Sequence, residues 1–410
     1  MADEVIITSS LNRPRYPALD AEQVAYVYLE ARPREGVATV NAPLNLALVL
    51  DRSGSMAGQK IRDLRQAARL LLDRLGPQDL ISLVLFDDHA DVLAPSRPAV
   101  DKAALLAQLD RIDERGGTQM SLGLQAGLGQ LQAGLSPDRV NRLLLLTDGE
   151  TWDDEDRCRE LAGRAGQLGI PISALGLGDE WNQTLLTDLA GLSGGSWEFI
   201  DTPDRIVAAF QHVVAVMQRT VVTNANLTLR LVRGAQPRAV WRVQPLIDRL
   251  TARALSERDV QVALGDLPRE GQSVLVELAL SPRAPGAYRV ALAEVNYDVP
   301  GGAAGQKSTA DVLITFVADP AEAQAVNGAV MNTVERVTAH KLMTRALDER
   351  ETADAGQRTQ RLRAAATRLL DAGEVELARE AEAAAAQLAA GHSLSAGATK
   401  RLVSATRRLD

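Results

Sequence analysis

The chain has few of the residue types that cross-link small folds or stack against bases. Its 410 residues include a single cysteine, Cys158, and aromatic residues make up 3%. One cysteine can form neither an internal disulfide nor a cysteine metal cage, and the start MADEVIITSS has no basic or apolar leader, so we expect the reducing cytoplasm. So few aromatic side chains argue against a base-stacking surface. No apolar run approaches 18 residues, so we expect no membrane span.

Negative charge is in excess, but it is unevenly distributed. The net charge is -8, which repels phosphate backbones and anionic headgroups, so we expect neither nucleic acid nor a membrane surface as a partner. Residues 43–216 contain 16 basic and 25 acidic side chains, a net charge of -9. Residues 319–410 contain 13 of each. The acidity therefore belongs to one part of the molecule.

A chain of 410 residues is expected to form two or three domains. Over residues 43–218, buried-strand runs such as LALVL, LISLVLF and LLLLT alternate with amphipathic helices, with an edge strand near Val92. This alternation predicts an α/β, Rossmann-like, doubly wound sheet with helices on both faces. We expect the helices to begin near Gly58, Asp101, Gln119, Asp154, Asn182 and Pro203.

The regions on either side of this core have different patterns. Residues 219–318 alternate short strands with Gly and Pro turns, which predicts an antiparallel β-sandwich. Residues 1–42 have the same pattern, so we expect their strands to join the sandwich and the α/β domain to be inserted in it. Residues 319–410 are Ala-, Glu- and Arg-rich and predict about four helices, with breaks near Gly356, Gly373 and Gly391. We expect this helical region to pack on the rest of the chain.

Polar residues gather where strands of the predicted sheet end. Asp51, Ser53 and Ser55 follow the first strand, Thr118 follows a Gly-Gly pair, and Asp148 ends the LLLLTD strand. In open parallel sheets, ligands bind outside the carboxyl ends of the strands. Two carboxylates and three hydroxyls are hard oxygen donors, and no thiolate or imidazole accompanies them. The set therefore favours Mg²⁺ or Mn²⁺, with Ca²⁺ as a further candidate.

The motif DRSGSM, followed by GGT and TDG, resembles the metal-ion-dependent adhesion site of von Willebrand factor A (VWA) domains. All five positions of that pattern are filled, by Asp51, Ser53, Ser55, Thr118 and Asp148. The resemblance covers the α/β region and implies that the hydroxyls reach the metal, while the aspartates bind it directly or through water. The segments GDLPREGQSVLVELAL and VNYDVP are similar to the β-domain of prokaryotic inter-alpha-trypsin-inhibitor-like proteins, also labelled calcium-activated chloride channel homologues.

This resemblance implies a metal-dependent protein-interaction module rather than an enzyme. Neutral hydroxyls leave a bound cation electrophilic, so an Asp or Glu of a partner protein would take the open coordination position. We expect a scaffold or regulator of a cytosolic complex. We also expect the partner to carry basic residues around its carboxylate, because the surrounding field is negative.

Enzymatic alternatives have weaker support in the sequence. A haloacid-dehalogenase-type phosphatase needs a second Asp where Ser53 stands, and a phosphate-binding loop needs Gly where Gln59 stands. A metal-dependent phosphoester hydrolase and a regulatory subunit of a MoxR- or chelatase-type ATPase machine remain open.

Several other polar or aromatic residues have simpler interpretations. The acidic run 153–156 is expected to cap the helix that follows, and Asp87 to lie in a solvated turn. Trp152 is a candidate exposed contact residue, and His340 is expected on a helix surface. Val326 is expected to share one helical face with Val330, Val334 and Val337.

Overall fold

A computed structural model describes the molecule over residues 4–37, 42–151, 153–302, 304–348 and 354–408. Trp152 lies outside the described residues, so its proposed role as a contact residue stays a prediction. No helix in these ranges combines the length and the apolarity that a bilayer crossing needs.

The α/β domain has a six-stranded sheet. The first three strands of the chain belong to other sheets; they are β1 (Val5–Leu11), β2 (Arg15–Pro17) and β3 (Gln23–Pro33). The six strands of this sheet are β4 (Leu44–Asp51), β5 (Leu80–Phe86), β6 (Ala90–Pro98), β7 (Val140–Thr147), β8 (Ile172–Leu177) and β9 (Ser196–Ile200). The spatial order is β6-β5-β4-β7-β8-β9, and only the edge strand β6 runs antiparallel. The predicted sheet and its edge strand at Val92 are confirmed.

Helices cover both faces of this sheet. They are α1 (Gln59–Arg74), α2 (Lys102–Leu109), α3 (Met120–Ala133), α4 (Glu155–Gln167), α5 (Gln183–Ser193) and α6 (Ile206–Arg219). Successive side chains of a strand point to opposite faces, so Ala47 and Val49 of β4 pack with α3, while Leu46 and Leu48 pack with α1 and α6. All eight residues of β4 are buried, as a strand covered on both faces requires.

Two sheets form a sandwich from strands that precede and follow the α/β domain in the chain, and they are antiparallel except where β2 pairs in parallel with the last strand. The later strands are β10 (Thr220–Leu231), β11 (Ala235–Gln244), β12 (Asp248–Arg249), β13 (Arg253–Ala254), β14 (Asp259–Pro268), β15 (Gln272–Leu280), β16 (Gly286–Asp298) and β17 (Gln306–Val317). One sheet has the order β1-β3-β15-β11-β12 and the other β13-β14-β10-β16-β17-β2. In the first sheet, β3 pairs with β15 and places Val27 opposite Val276.

The C-terminal region consists of α7 (Gly328–Leu347), α8 (Ala355–Asp371), α9 (Val375–Ala389) and α10 (Ala396–Ala405). Three details differ from the sequence-based expectation. Gly356 is the second residue of α8 and does not separate two helices. Val326 is 55% exposed before α7 begins, whereas the other three valines of the predicted face are buried. His340 is buried at 7% exposure, because α10 covers its face of α7.

Buried cations of α10 and the residues just after it join the three regions. Lys400 Nζ donates to the carbonyl oxygens of Asp179 and Trp181, at 2.6 and 2.7 Å. The Arg407 guanidinium donates to the Trp197 carbonyl in the α/β domain and to Asp248 in the sandwich, at 2.6 and 2.7 Å. The same guanidinium lies 3.9 Å from the centre of the Trp197 ring. The helical region therefore packs on both other regions.

Candidate metal centre

Asp51 is the last residue of β4, and its carboxylate is fully buried. The Ser53 backbone N–H donates to Oδ1 at 2.8 Å, and the Thr147 hydroxyl at the end of β7 donates to Oδ2 at 2.6 Å. Burial raises the pKa of Asp51 to about 6, against the opposing effect of these hydrogen bonds, and the Asp148 charge raises it further. Two neighbouring strand ends thus hold one carboxylate at a fixed position.

The two serines follow Asp51: Ser53 immediately precedes a short 3-10 helix, Gly54–Met56, and Ser55 lies within it. Ser53 Oγ and Ser55 Oγ lie 3.0 Å apart, and the Ser55 hydroxyl donates to Asp148 Oδ1 at 2.6 Å. Ser53 is buried, while Ser55 is exposed. The two hydroxyls therefore connect the end of β4 to the residue after β7, and the Ser55 side is accessible to solvent.

Thr118 approaches the same point from a third loop. A Cβ built on Gly149 would lie 3.7 Å from both Ser55 Oγ and Thr118 Oγ1. The glycine therefore lines a space between the two hydroxyls that a side chain would begin to fill. Hydrogen bonds connect Asp51, Ser53, Ser55 and Asp148 in series, and Thr118 lies across Gly149 from Ser55.

The donor set fits a hard divalent cation. An octahedral Mg²⁺ ion with bonds of about 2.1 Å has neighbouring ligands about 3.0 Å apart, and the two serine oxygens have this separation. The described residues contain no cluster of three or more His, Cys, Asp or Glu, so hydroxyls must contribute to any ion held here. Asp51, Ser53, Ser55, Thr118 and Asp148 are the residues that would hold it.

Comparison with known proteins identifies two parts of the chain. Residues 45–205 match the von Willebrand factor type A domain, and residues 328–410 match the Sll0103-like C-terminal alpha-helical domain. Residues 45–205 therefore form a von Willebrand factor type A domain. Proteins with VWA domains are commonly metal-dependent protein-interaction modules.

Relatives of this VWA protein support the same assignment. The protein sll0103 of Synechocystis sp. is 35% identical over 269 residues, which are 64% of this chain and 63% of that protein. Human inter-alpha-trypsin inhibitor heavy chain H4 is 31% identical over 174 residues, 39% of this chain and 18% of the relative. The chain thus spans less than two thirds of either relative. The structure of a von Willebrand factor type A protein from Catenulispora acidiphila superposes over 100% of this chain and 98% of its own, with a TM-score of 0.82 and 19% identity, which shows a shared fold.

An ion-pair cluster holds the Thr118 loop of the VWA domain in place. Asp87 is 2% exposed, and its Oδ2 accepts from Arg52 Nε at 2.7 Å and Arg115 Nε at 3.0 Å. The expectation of a solvated turn at Asp87 is wrong, because the loop before Thr118 folds back over the end of β5. Arg52 immediately follows Asp51, and Gln119 N donates to the Asp87 carbonyl at 2.8 Å. The cluster therefore connects the loop that contains Arg52 and the loop that contains Thr118.

Asp154 supports the site in a way that sequence reasoning missed. Its Oδ2 accepts from Ser121 N at 2.7 Å, and the Thr151 hydroxyl accepts from Met120 N at 3.1 Å and also contacts Asp154. Both amides belong to the first turn of α3, which lacks a capping side chain of its own. Asp154 was expected to cap the helix that follows it, but its carboxylate caps α3 instead. Sequence spacing offered no signal for a cap supplied across 33 residues.

Proposed function

We propose that this protein is a metal-dependent protein-interaction module of the cytoplasm, acting as a scaffold or regulator of a protein complex. A Mg²⁺-type cation, with Mn²⁺ or Ca²⁺ as alternatives, would be held by Asp51, Ser53, Ser55, Thr118 and Asp148. The observation that carries the proposal is the 3.0 Å separation of the two serine hydroxyls between two buried carboxylates. A partner protein would supply an Asp or Glu to the remaining coordination position.

The residues support bridging through their charge and their exposure. The site offers two carboxylates against three neutral hydroxyls, so a bound divalent cation keeps enough positive character to attract a further carboxylate. Ser55 is exposed, so a partner side chain can approach from the Ser55 side. Glu150 and Asp153 are exposed on the adjoining loop, and Asp156 is exposed in the first turn of α4. These charges favour a partner whose carboxylate is flanked by basic residues.

The contacts of the Asp51 and Asp148 carboxylates favour a binding role over hydrolysis of a phosphoester. Both oxygens of Asp51 accept hydrogen bonds, from Ser53 and Thr147. Both oxygens of Asp148 also accept, from Ser55 and Lys60. The proposed site assigns both carboxylates to the metal, so neither is left to act as the general base that a phosphoester hydrolase would need.

Metal binding is tested by calorimetric titration of the whole chain with MgCl₂. We expect saturable binding by the wild type and at least a tenfold weaker affinity in Ser53→Ala, because one ligand is removed. Ser136→Ala is the matched control, since Ser136 lies near the start of β7, at the opposite end of the sheet. Absence of Mg²⁺, Mn²⁺ and Ca²⁺ binding in the wild type would contradict the proposal.

Partner binding is tested by pull-down with the immobilised chain, followed by mass spectrometry. We expect at least one protein that is retained with Mg²⁺ and lost with EDTA, and lost with Ser53→Ala but not with Ser136→Ala. Substituting the exposed Asp and Glu residues of that protein one at a time should identify the bridging carboxylate. Capture that survives EDTA but is abolished by Asp51→Ala would refute the metal bridge.

A further inference from the structure

A lysine side chain lies on one of the two buried carboxylates of the site. Lys60 Nζ donates to Asp148 Oδ2 at 2.5 Å. Asp148 is fully buried on its side-chain atoms, whereas the Lys60 side chain is 29% exposed. The ammonium group therefore reaches in from the edge of the site, and its stem remains partly in solvent.

The helix dipole does not favour a lysine at the position that Lys60 occupies in α1. It is the second residue of α1, whose first turn contains no acidic residue. A positive charge at a helix N-terminus is disfavoured by the helix dipole. The contact with Asp148 supplies the compensating negative charge, so this lysine and this carboxylate are matched to each other across 88 residues of sequence.

Lys60 also stands apart from the other cations near the site. Arg52 and Arg115 both pair with Asp87 and Asp91, away from the metal-site carboxylates. Among the ion pairs of the described residues, Lys60 supplies the one that reaches Asp51 or Asp148. Asp51 is stabilised by neutral donors instead. Of the two buried carboxylates, Asp148 is therefore the one that has an ion-pair partner among the described residues.

We propose that Lys60 is a built-in competitor of the metal. Without metal, its ammonium neutralises Asp148 and keeps the site folded. When a divalent cation binds, Lys60 leaves Asp148 Oδ2, because two cations at one carboxylate repel each other strongly in a partly buried site. The flexible four-carbon stem and partial exposure of the lysine allow it to turn out into solvent. The proposal rests on the metal site proposed above and assigns the residue that weakens its affinity.

The test is a calorimetric titration of the whole chain with MgCl₂ at pH 7.5, using Lys60→Gln. Glutamine removes the charge but keeps an N–H donor for Asp148, which protects the fold. We expect the Kd for Mg²⁺ to fall at least tenfold relative to the wild type. Arg62→Gln is the matched control, since it removes one charge from the same helix turn but contacts Gln59 rather than Asp148. Its Kd should change less than threefold.

Thermal melts with EDTA and with saturating Mg²⁺ give a second, independent readout. We expect Lys60→Gln to melt a few degrees below the wild type in EDTA and to regain the difference in Mg²⁺, since the metal replaces the lost cation. A merely structural ion pair would lower the melting temperature equally in both conditions. If Lys60→Gln cannot be purified, Lys60→Arg keeps the charge and should leave the Kd for Mg²⁺ within threefold of the wild type; tighter binding by Lys60→Arg would overturn the proposal.

The outcomes separate this proposal from the metal site itself. Wild-type binding with an unchanged or weaker affinity in Lys60→Gln overturns the competitor role and leaves the metal site intact. Binding by Lys60→Gln alone supports the competitor role and contradicts Mg²⁺ as the bridging ion of the wild type. Absence of Mg²⁺, Mn²⁺ and Ca²⁺ binding in both proteins overturns both proposals.

Discussion

At the scale of single residues, Gly149 matters because it has no side chain beside the hydroxyls of the candidate metal centre. Its backbone lies between the Ser55 and Thr118 hydroxyls, and its φ angle is not among the positive values found at other glycines. Any side chain here would therefore act by occupying space rather than by straining the backbone. A Cβ atom at this position would be in van der Waals contact with both hydroxyls.

Gly149→Ala should weaken Mg²⁺ binding roughly tenfold while preserving the fold, because the added methyl group narrows the space between the hydroxyls. Calorimetric titration measures the affinity, and circular dichroism melts monitor the fold. Gly163→Ala in α4 is the matched control, since its Cβ would meet nothing within 4 Å and alanine favours a helix. Equal affinities for Mg²⁺ in both variants would show that the space is not the binding site.

His340 is a buried titratable residue far from the site. Its Nδ1 lies 2.7 Å from the Thr406 hydroxyl oxygen, which in turn lies 2.8 Å from the Val403 carbonyl oxygen. Burial lowers the pKa of His340 from 6.5 to about 4, the Arg407 charge lowers it further, and Asp248 opposes the shift. The native state therefore favours the neutral imidazole.

Stability should consequently fall as the pH drops from 6.5 toward 4, because the unfolded chain binds a proton that the native chain resists. The loss attributable to His340 should be about 2 kcal/mol at pH 5. Urea unfolding of the wild type and His340→Gln at pH 7.5 and pH 5 measures it, and the wild type should lose more stability than the variant. His392→Gln, at an exposed position, should keep the wild-type pH dependence. Parallel pH profiles for the wild type and His340→Gln would contradict the assignment.

At the scale of secondary-structure elements, the site depends on helix ends that are capped from outside. The first-turn amides of α3 are satisfied by Thr151 and Asp154, from the loop after β7. Thr118 lies two residues before α3, so the same contacts fix the threonine relative to Asp148. The loop that contains one metal-site carboxylate thus also positions a metal-site hydroxyl on another loop.

Asp154→Ala should lower the free energy of unfolding by about 1–2 kcal/mol, because two buried donors lose their acceptor. It should also weaken Mg²⁺ binding by about tenfold through the displaced Thr118. Urea unfolding and calorimetry measure the two effects. Asp154→Asn, which keeps one acceptor oxygen, should recover part of both, and Asp156→Ala at an exposed position should change neither. An unaltered metal affinity in Asp154→Ala would remove the residue from the support of the site.

At the scale of the whole molecule, strands from before and after the α/β domain pair within one sheet of the sandwich. β3 lies between β1 and β15, and its pairing with β15 continues over nine residue pairs. Without the first 42 residues, one edge of an apolar sheet would be unpaired. The domain boundaries proposed from the sequence, residues 43–218 and 219–318, remain predictions that truncation can test.

Residues 43–218 should fold alone with a cooperative thermal transition, whereas residues 219–318 should fold only when residues 1–42 are attached by a flexible linker. Circular dichroism melts of the three fragments measure this. A linked fragment with Val27→Asp is the control, since a charge at the buried position opposite Val276 should abolish the rescue. Cooperative folding of residues 219–318 alone would refute the insertion.

Sequence by itself determined the features that local pattern encodes. The strand and helix alternation of the VWA domain follows from hydrophobic periodicity, and the five residues of the candidate metal centre follow from their match to the DxSxS, Thr and Asp pattern. Both can be read from neighbouring residues, because a strand end and the loop after it are contiguous in the chain. This part of the prediction therefore needed no knowledge of the packing.

Only the tertiary structure decided which charges are buried and what pairs with them. Lys60 reaches Asp148, Asp87 binds two arginines, Asp154 caps α3 rather than α4, and His340 is covered by α10. Each contact joins residues 28 or more positions apart in the chain. A polar side chain on an amphipathic element has the same sequence pattern whether its partner is water or a distant counterion. Its partner is chosen when the elements pack, because burial makes an unpaired charge costly.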